Sequence, residues 1–525
     1  MGQTIAFCGL PARYRLADDT KRSSAPLRIL SAGLFCAGLI GAQNAKPAIG
    51  CGDLRSLTNY EISIASALLV PATADAPEHC RVSGQVLPQV GFEVGLPTQW
   101  NGRLYMFGNG GFAGEALDSP ARRATAARAM RRGYATAETD TGHSAATEPL
   151  GTFAADRQKL LDYAFRSLHV TAGAAKLLVR SYYGGPPTRS YFEGCSTGGR
   201  QGLTLAQRFP ADFDGIVVGA PVLNFSGTMM AYANDIQALR AAPIPAAKLP
   251  LLASKIYAQC DAKDGLKDGL IDDPRRCGFQ PSRDLPQCDG ADQPGCFTGG
   301  QIASLDRIYG DLMSQGKRIF PGWPVGAEIA GPNGRSGWDP WIVSDAGPTT
   351  GATFSEAFFR YLAFSKPDPT YDLSQFNPDR DPPRLEAIHQ TLDATDPDLS
   401  RFRERGGKIL MYFGWADPAL NPLMGVEYYE RVSQRMGAAT GVFFRLFMVP
   451  GMFHCSGGVG ADTFDKLGPL ADWVERGTAP DAITASRVIG GKVVRTRPLC
   501  AYPEVARYKG SGSTDDAANF ACVKP

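Results

Sequence analysis

Short apolar runs separated by amphipathic stretches set the pattern of this chain. Residues 104–107, 191–192, 216–218, 409–413 and 443–449 are apolar segments of strand length and read as buried strands. Residues 163–182 place Leu168, Ala172, Ala175, Leu178 and Val179 at three- and four-residue spacing, with Gly184 beyond them, which predicts a helix. Alternating strands and helices predict an α/β fold with a mostly parallel sheet and flanking helices. From about residue 222 to 396 the pattern weakens into Asp-Gly and Pro-Gly turns, and it resumes at 408–413. One domain over 46–222 and 396–525 is therefore expected, interrupted by a segment at 223–395 that caps one edge.

Composition narrows the function classes. With 525 residues, 44% of them hydrophobic and 20% charged, the chain can build one large core plus an insertion. Its 54 Lys and Arg against 52 Asp and Glu give a net charge of +2 without long like-charge runs, so no nucleic-acid partner is expected and a small molecule is. Lys21, Arg22 and Arg28 precede an apolar run over 29–40, too short to span a bilayer stably, and then Gly41 and Ala42. This predicts a targeting segment over 1–45 and a secreted or periplasmic product. Twelve cysteines occur without a CxxC pair; Cys8 and Cys36 fall in that segment, and the even ten that remain point to disulfides.

The sharpest motif is Gly194-Cys195-Ser196-Thr197-Gly198, between the strand-like Ser190-Tyr191-Phe192 and a helix-like continuation. A strand-to-helix turn this tight strains the serine and brings backbones together, which glycine tolerates; it exposes Ser196 as a nucleophile. A serine hydroxyl needs a base, and five histidines are available. His79, His169 and His389 sit in structural or surface contexts, and His143 could border the site. His454 follows the apolar run 443–449 near the C-terminus, where the order Ser, Asp, His places the base. Most loop aspartates are turn residues, but Asp417, in Gly414-Trp415-Ala416-Asp417 after run 409–413, is placed to orient the imidazole.

Cys195 precedes Ser196 and Cys455 follows His454, so a bridge between them would staple nucleophile to base. The amide of Thr197 supplies one oxyanion donor, and Gly111, with Gly110 as the near alternative, supplies the second from Phe107-Gly108-Asn109-Gly110-Gly111-Phe112. In the insertion, Asp261, Asp264 and Asp268 with the carbonyls of Leu266 and Leu270 offer oxygen ligands for calcium, on a spacing that is not an EF-hand. A solvated acidic turn is the other reading of that loop.

These residues resemble the tannase and feruloyl esterase family of α/β-hydrolases, over nearly all of the chain from 51 to 522. The most specific marks are Cys195-Ser196 with His454-Cys455, the 414–417 loop, the aspartate run 261–272, and the closing stretch from Arg497-Pro498-Leu499-Cys500 to Tyr508-Lys509-Gly510-Ser511-Gly512. The resemblance implies an α/β-hydrolase fold, a lid inserted after a strand ending near Pro221, and a structural calcium ion in that lid. It further implies the bridges Cys51–Cys80, Cys260–Cys277, Cys288–Cys296 and Cys500–Cys522, and hydrolysis of esters of aromatic acids such as gallate or ferulate through an acyl-enzyme. Terephthalate half-ester hydrolysis, also known in the family, uses a lid arginine near a phenylalanine and a serine. Phe354 and Ser355 match the latter two, but Thr350 stands at the arginine's place, which leaves Arg360 to reach in. Trp341 and Phe354 are the expected aromatic walls. An inactive calcium-dependent binding protein on the same fold is the reading from another class.

Overall fold

The computed structural model describes residues 45–525; the targeting segment expected over 1–45 lies, its last residue apart, outside them. A nine-stranded sheet forms the centre. Its first seven strands are β1 (Ile62–Val70), β2 (His79–Val86), β3 (Val90–Pro97), β4 (Arg103–Phe107), β5 (Ala135–Thr139), β6 (Arg189–Cys195) and β7 (Gly215–Gly219). The chain then leaves the sheet, forming a small hairpin of β8 (Leu312–Ser314) and β9 (Lys317–Phe320), and returns with β10 (Lys408–Gly414) and β11 (Phe444–Val449). The spatial order is β1-β2-β3-β5-β4-β6-β7-β10-β11. The meander β1 to β3 is antiparallel, β5 joins it antiparallel, and every pairing from β5 to β11 is parallel. This is the α/β-hydrolase architecture.

Side-chain alternation divides the core between the two faces of the sheet. Phe192, Ile216, Met411 and Phe413 belong to one apolar cluster, and Tyr191, Val217, Leu410 and Tyr412 to the other. The helix expected at 163–182 runs Ser167–Tyr183, after a π-helical turn at Asp162–Arg166, and Gly184 ends it in the left-handed region at φ 78°. Strands β2 and β3 carry no uninterrupted apolar run of the kind that marks β7 or β10, and the run that ends β1, Ala67 to Val70, has its two leucines exposed. β1 alternates between buried and exposed positions, and β5, fully buried, reads Ala-Thr-Ala-Glu-Thr.

Between β7 and β10 the chain builds helices Phe225–Ala241, Leu249–Cys260, Gly299–Tyr309, Thr350–Ala357 and Glu386–Leu392. Its entry and exit are tied together: the Ala394 amide donates to the Leu223 carbonyl at 2.8 Å, and the Ser226 hydroxyl donates to Asp393 at 2.6 Å. His389 Nδ1 donates to the same Asp393 oxygen at 2.6 Å, and this bond raises the imidazole above its usual 6.5. A raised histidine contributes stability that is complete below its unfolded value and fades as pH climbs through the folded one. The melting temperature of wild type is therefore expected to exceed that of His389→Ala near pH ~5.5 and to converge with it near pH ~9. An advantage of equal size at both ends of that range would contradict this latch.

Beyond β11 the hairpin of β12 (Ala482–Ile489) and β13 (Lys492–Cys500), followed by β14 (Val505–Tyr508) and β15 (Phe520–Val523), closes the chain. Five disulfides, Cys51–Cys80, Cys195–Cys455, Cys260–Cys277, Cys288–Cys296 and Cys500–Cys522, pair as the sequence and its resemblance implied. Among the described residues no helix is long and apolar enough to cross a membrane.

Candidate active site

Ser196 occupies the turn between β6 and the helix Thr197–Arg208, with φ 63° and ψ −123°, a region that side-chain-bearing residues rarely enter. The chain holds it there from both sides. Its amide donates to the Gly219 carbonyl at 2.9 Å, and its carbonyl accepts from Arg200 at 3.1 Å and Val222 at 3.3 Å. The turn closes because Gly194 has no side chain: a Cβ there would lie 2.4 Å from the Gly198 backbone.

Asp417 is buried on the loop after β10. One carboxylate oxygen accepts the amides of Ala419 and Leu420, both at 2.9 Å, and the other accepts Nδ1 of His454 at 2.8 Å. A carboxylate acceptor assigns the imidazole proton to Nδ1 and leaves the Nε2 lone pair free to take a proton. Ser196 and His454 line the same cavity. No hydrogen bond of 3.5 Å or less joins the hydroxyl to the ring; such contacts are often long without substrate and shorten in the reacting complex.

The two loops are linked covalently. Cys195 and Cys455 are bridged with their Cα atoms 6.0 Å apart, across a sequence separation of 260. Because misplacement by ~1 Å costs on the order of a hundredfold, Cys195→Ala with Cys455→Ala is expected to lower kcat by about that factor. The comparison is made at a temperature where both proteins are folded. A folded double variant with the wild-type rate would show that the staple has no catalytic role.

Thr197, at the first helical position, has an amide without an intrahelical acceptor. Across from it, the Gly110 amide is already committed to Glu115 at 2.7 Å, and the Gly110 carbonyl accepts from Ala113 at 2.7 Å. The Gly111 amide has no such acceptor among the described residues, which favours Gly111 over Gly110 as the second donor. The loop is braced: the Gly111 carbonyl accepts the hydroxyls of Thr197 at 2.6 Å and Tyr163 at 3.1 Å, and Gln201 receives the Asn109 amide at 3.0 Å. His143, set aside as a neighbour of the site, is buried behind this loop and bonds the Phe112 carbonyl at 3.0 Å; burial lowers its pKa.

A cavity of about 450 Å³ opens over Ser196. Trp341 and Phe354 form aromatic walls, their rings stacked at 6.2 Å, and Trp341 meets His454 edge-on at 5.7 Å. Phe225, Met229 and Tyr232, which the sequence reading did not single out, complete the floor from helix Phe225–Ala241. Their signal was an apolar stretch, which is more often core than site. Ser355 is a correction: it is fully buried, donates to the Met229 carbonyl at 2.8 Å and packs two lid helices together instead of lining the cavity. Arg360 does not reach in either, because it donates to the Tyr371 carbonyl at 2.9 Å and pairs with Glu356.

The family model described as tannase and feruloyl esterase matches residues 74–523. The chain belongs to this family. It is 38% identical to mono(2-hydroxyethyl) terephthalate hydrolase of Piscinibacter sakaiensis over 87% of each chain. It is 30% identical to feruloyl esterase B of Aspergillus niger, over 89% of this chain and 91% of that one. Among solved structures, feruloyl esterase B from Aspergillus oryzae superposes with a TM-score of 0.79 at 28% identity, covering 90% of this chain and 99% of its own. The chain is thus an esterase of the tannase and feruloyl esterase family.

The acidic loop of this family esterase divides into two parts. Asp264, Leu266, Asp268 and Leu270 line one small cavity together with Asp272. Asp261 faces elsewhere, its carboxylate accepting the amides of Asp268 and Gly269 at 3.1 Å. Burial and then the neighbouring Asp264 and Asp273 push Asp272 up to about 7. Asp268 pairs with Arg497 at 2.6 Å through one oxygen, while the other is buried with no partner. Among the described residues no three acidic, histidine or cysteine side chains converge as a metal cage. The unpartnered Asp268 oxygen and the oxygen-rich lining fit a hard cation in kind. Asp261 joins that set only by exchanging its amide contacts.

Proposed function

We propose that the chain is a serine carboxylic-ester hydrolase acting on esters of aromatic acids, with Ser196 as nucleophile, His454 as base and Asp417 as its orienting partner. The observation that carries this reading is the Asp417–His454 hydrogen bond behind a cavity that His454 lines together with the strained Ser196. Ser196 Oγ attacks the ester carbonyl carbon as His454 Nε2 takes the hydroxyl proton. The carbonyl oxygen gains the negative charge and is received by the amides of Thr197 and Gly111. His454 then gives its proton to the departing alcohol, leaving the acyl group on Ser196. Water, deprotonated by the same nitrogen, releases the free acid.

The cavity's chemistry supports a neutral, planar acyl group. Its walls are aromatic or aliphatic, and no lysine or arginine lines it. The polar side chains of Asn109, Thr197 and Tyr232 already bond within the protein, so a trihydroxylated galloyl ring would find few partners. A feruloyl or related hydroxycinnamoyl group fits best. Terephthalate half-ester hydrolysis is the second reading, favoured by the 38% identity to the bacterial relative and opposed by the missing cation for the substrate's free carboxylate. Turnover of methyl ferulate, methyl gallate and mono(2-hydroxyethyl) terephthalate, measured side by side, tests this. The expected order puts methyl ferulate first by about tenfold in kcat/KM, roughly the worth of an unmatched polar group. A half-ester preference of that size would reverse the assignment.

Five disulfides support an oxidising destination, secreted or periplasmic. We also assign the acidic loop to calcium, held by Asp264, Asp268 and the carbonyls of Leu266 and Leu270, with Asp261 completing the set once it gives up the amides of Asp268 and Gly269. A bound calcium ion supplies fixed positive charge that offsets the crowded carboxylates and takes no part in ester cleavage. Exhaustive chelation is expected to lower the melting temperature by about 3 °C or more, restored by added calcium. An unchanged melting temperature together with no calcium by elemental analysis would leave only an acidic turn.

A further inference from the structure

Arg200 differs from the other buried cations among the described residues. Arg122, Lys248 and Arg497 each pair with a carboxylate: Glu138, Asp292 and Asp268 respectively. Arg200 is 0% exposed and has no carboxylate within 4.0 Å. Its partners are neutral: the carbonyls of Ala164 at 3.0 Å, Leu392 at 3.1 Å and Tyr163 at 3.3 Å. Its Nε has no partner. The guanidinium lies over the rings of Tyr163 and Phe225, 5.0 and 6.0 Å from their centroids. Burying a charge without a counter-ion is costly, so a full positive charge here needs an offsetting use.

The surroundings point to that use. Arg200 is in the first turn of the helix that begins beside Ser196, and its amide donates to the Ser196 carbonyl. Tyr163, which it bonds and stacks on, donates its hydroxyl to the Gly111 carbonyl, the same acceptor that receives the Thr197 hydroxyl. Phe225, its second ring, lines the substrate cavity. One tyrosine therefore links the guanidinium to the Gly111 carbonyl, and so to the two residues that carry the proposed oxyanion donors. None of its contacts involves the 414–417 or 450–455 loops that carry Asp417 and His454.

We propose that Arg200 is a positioning residue that supplies the counter-charge of the oxyanion. This rests on the acyl-enzyme reading. As the Oγ–C bond forms and the carbonyl electron pair moves to oxygen, negative charge appears on the Arg200 side of the cavity, where the apolar interior leaves the guanidinium field weakly screened. The imidazolium that forms at the same moment is carried by a loop that Arg200 does not touch. Arg200 exchanges no proton and its charge is constant through both steps. Its bonds to Tyr163 also hold the loop that presents Gly111. The alternative role is structural, because the bond to Leu392 also fastens the exit of the insertion to this helix.

Four proteins separate these roles: wild type, the neutral Arg200→Met and Arg200→Gln, and the charge-retaining Arg200→Lys. Each is assayed on methyl ferulate and titrated with an aryl boronic acid, which forms a tetrahedral anionic adduct on a serine, and with the neutral planar amide of the same aryl group. In the neutral variants kcat is expected to fall by about 30- to 100-fold while KM stays within about threefold, the signature of an interaction made in the transition state. Boronate affinity should fall by a similar factor with amide affinity unchanged, and Arg200→Lys should recover most of both. A neutral variant with wild-type kcat overturns the proposal. So does a loss carried by KM, equal weakening of boronate and amide, a lysine variant as poor as the methionine one, or failure of both neutral variants to fold. Ser196→Ala serves as the control for the underlying reading: if it binds the boronate as wild type does, the acyl-enzyme assignment has failed irrespective of Arg200.

Discussion

Ser196→Ala is expected to lower kcat on methyl ferulate by on the order of 10⁵- to 10⁶-fold while the protein stays folded. The size follows from the site. The remaining oxyanion amides and aromatic walls still bind substrate, but the other lining hydroxyls, those of Thr197 and Tyr232, are committed to the carbonyls of Gly111 and Ala419. KM should change little, because the hydroxyl contributes little to ground-state binding. Folding should be indifferent to the change, since the hydrogen bonds that pin residue 196 in its strained conformation all come from its backbone. Residual activity within about tenfold of wild type, in a preparation free of contaminating esterase, would remove Ser196 from the mechanism.

Asp417→Asn is the second large effect, expected at about 10⁴-fold in kcat at neutral pH. Two oxygens of Asp417 do different work. One accepts two backbone amides, Ala419 and Leu420, and only an oxygen can remain there. In the asparagine variant the carbonyl oxygen is therefore held at that position and the NH₂ group is turned to His454 Nδ1. A donor at that point selects the tautomer protonated on Nε2, which cannot take the serine proton. The variant should retain its affinity for the neutral aryl amide and lose kcat. Loss of less than about tenfold would mean that the carboxylate does not set the imidazole tautomer.

Much of the candidate site is legible in the sequence, because its parts obey strong local rules. The Gly194 to Gly198 turn, the aspartate after one apolar run and the histidine after the next each follow from where strands end in a parallel sheet, and the 195–455 bridge joins their neighbours. The antiparallel meander was not legible. β5 is built from Ala, Thr and Glu and lacks the apolar run that betrayed β7 and β10, while the short run in β1, Ala67 to Val70, leaves Leu68 and Leu69 exposed instead of marking a buried strand. The cavity floor escaped for another reason: Phe225, Met229 and Tyr232 lie where the strand pattern weakens, and only the packing of their helix over Ser196 turns them into a binding surface. Ser355 failed because adjacency to Phe354 does not place two neighbouring helical side chains on one face; position 354 meets the cavity and 355 the helix behind it. Arg200 carried no sequence signal beyond a place in the helix after the nucleophile, since an unpaired buried charge is visible only when all its neighbours are in place.

The central claim is that Ser196 carries the acyl group. Its most direct test is covalent: label the folded protein with a serine-directed fluorophosphonate, digest it without reducing agent, and map the adduct by peptide mass spectrometry. The expected result is a single adduct on Ser196, in the peptide still bridged from Cys195 to Cys455, formed in step with loss of esterase activity and absent from the Ser196→Ala variant. An adduct on another residue that abolishes activity, or full activity after complete labelling of Ser196, would contradict the assignment.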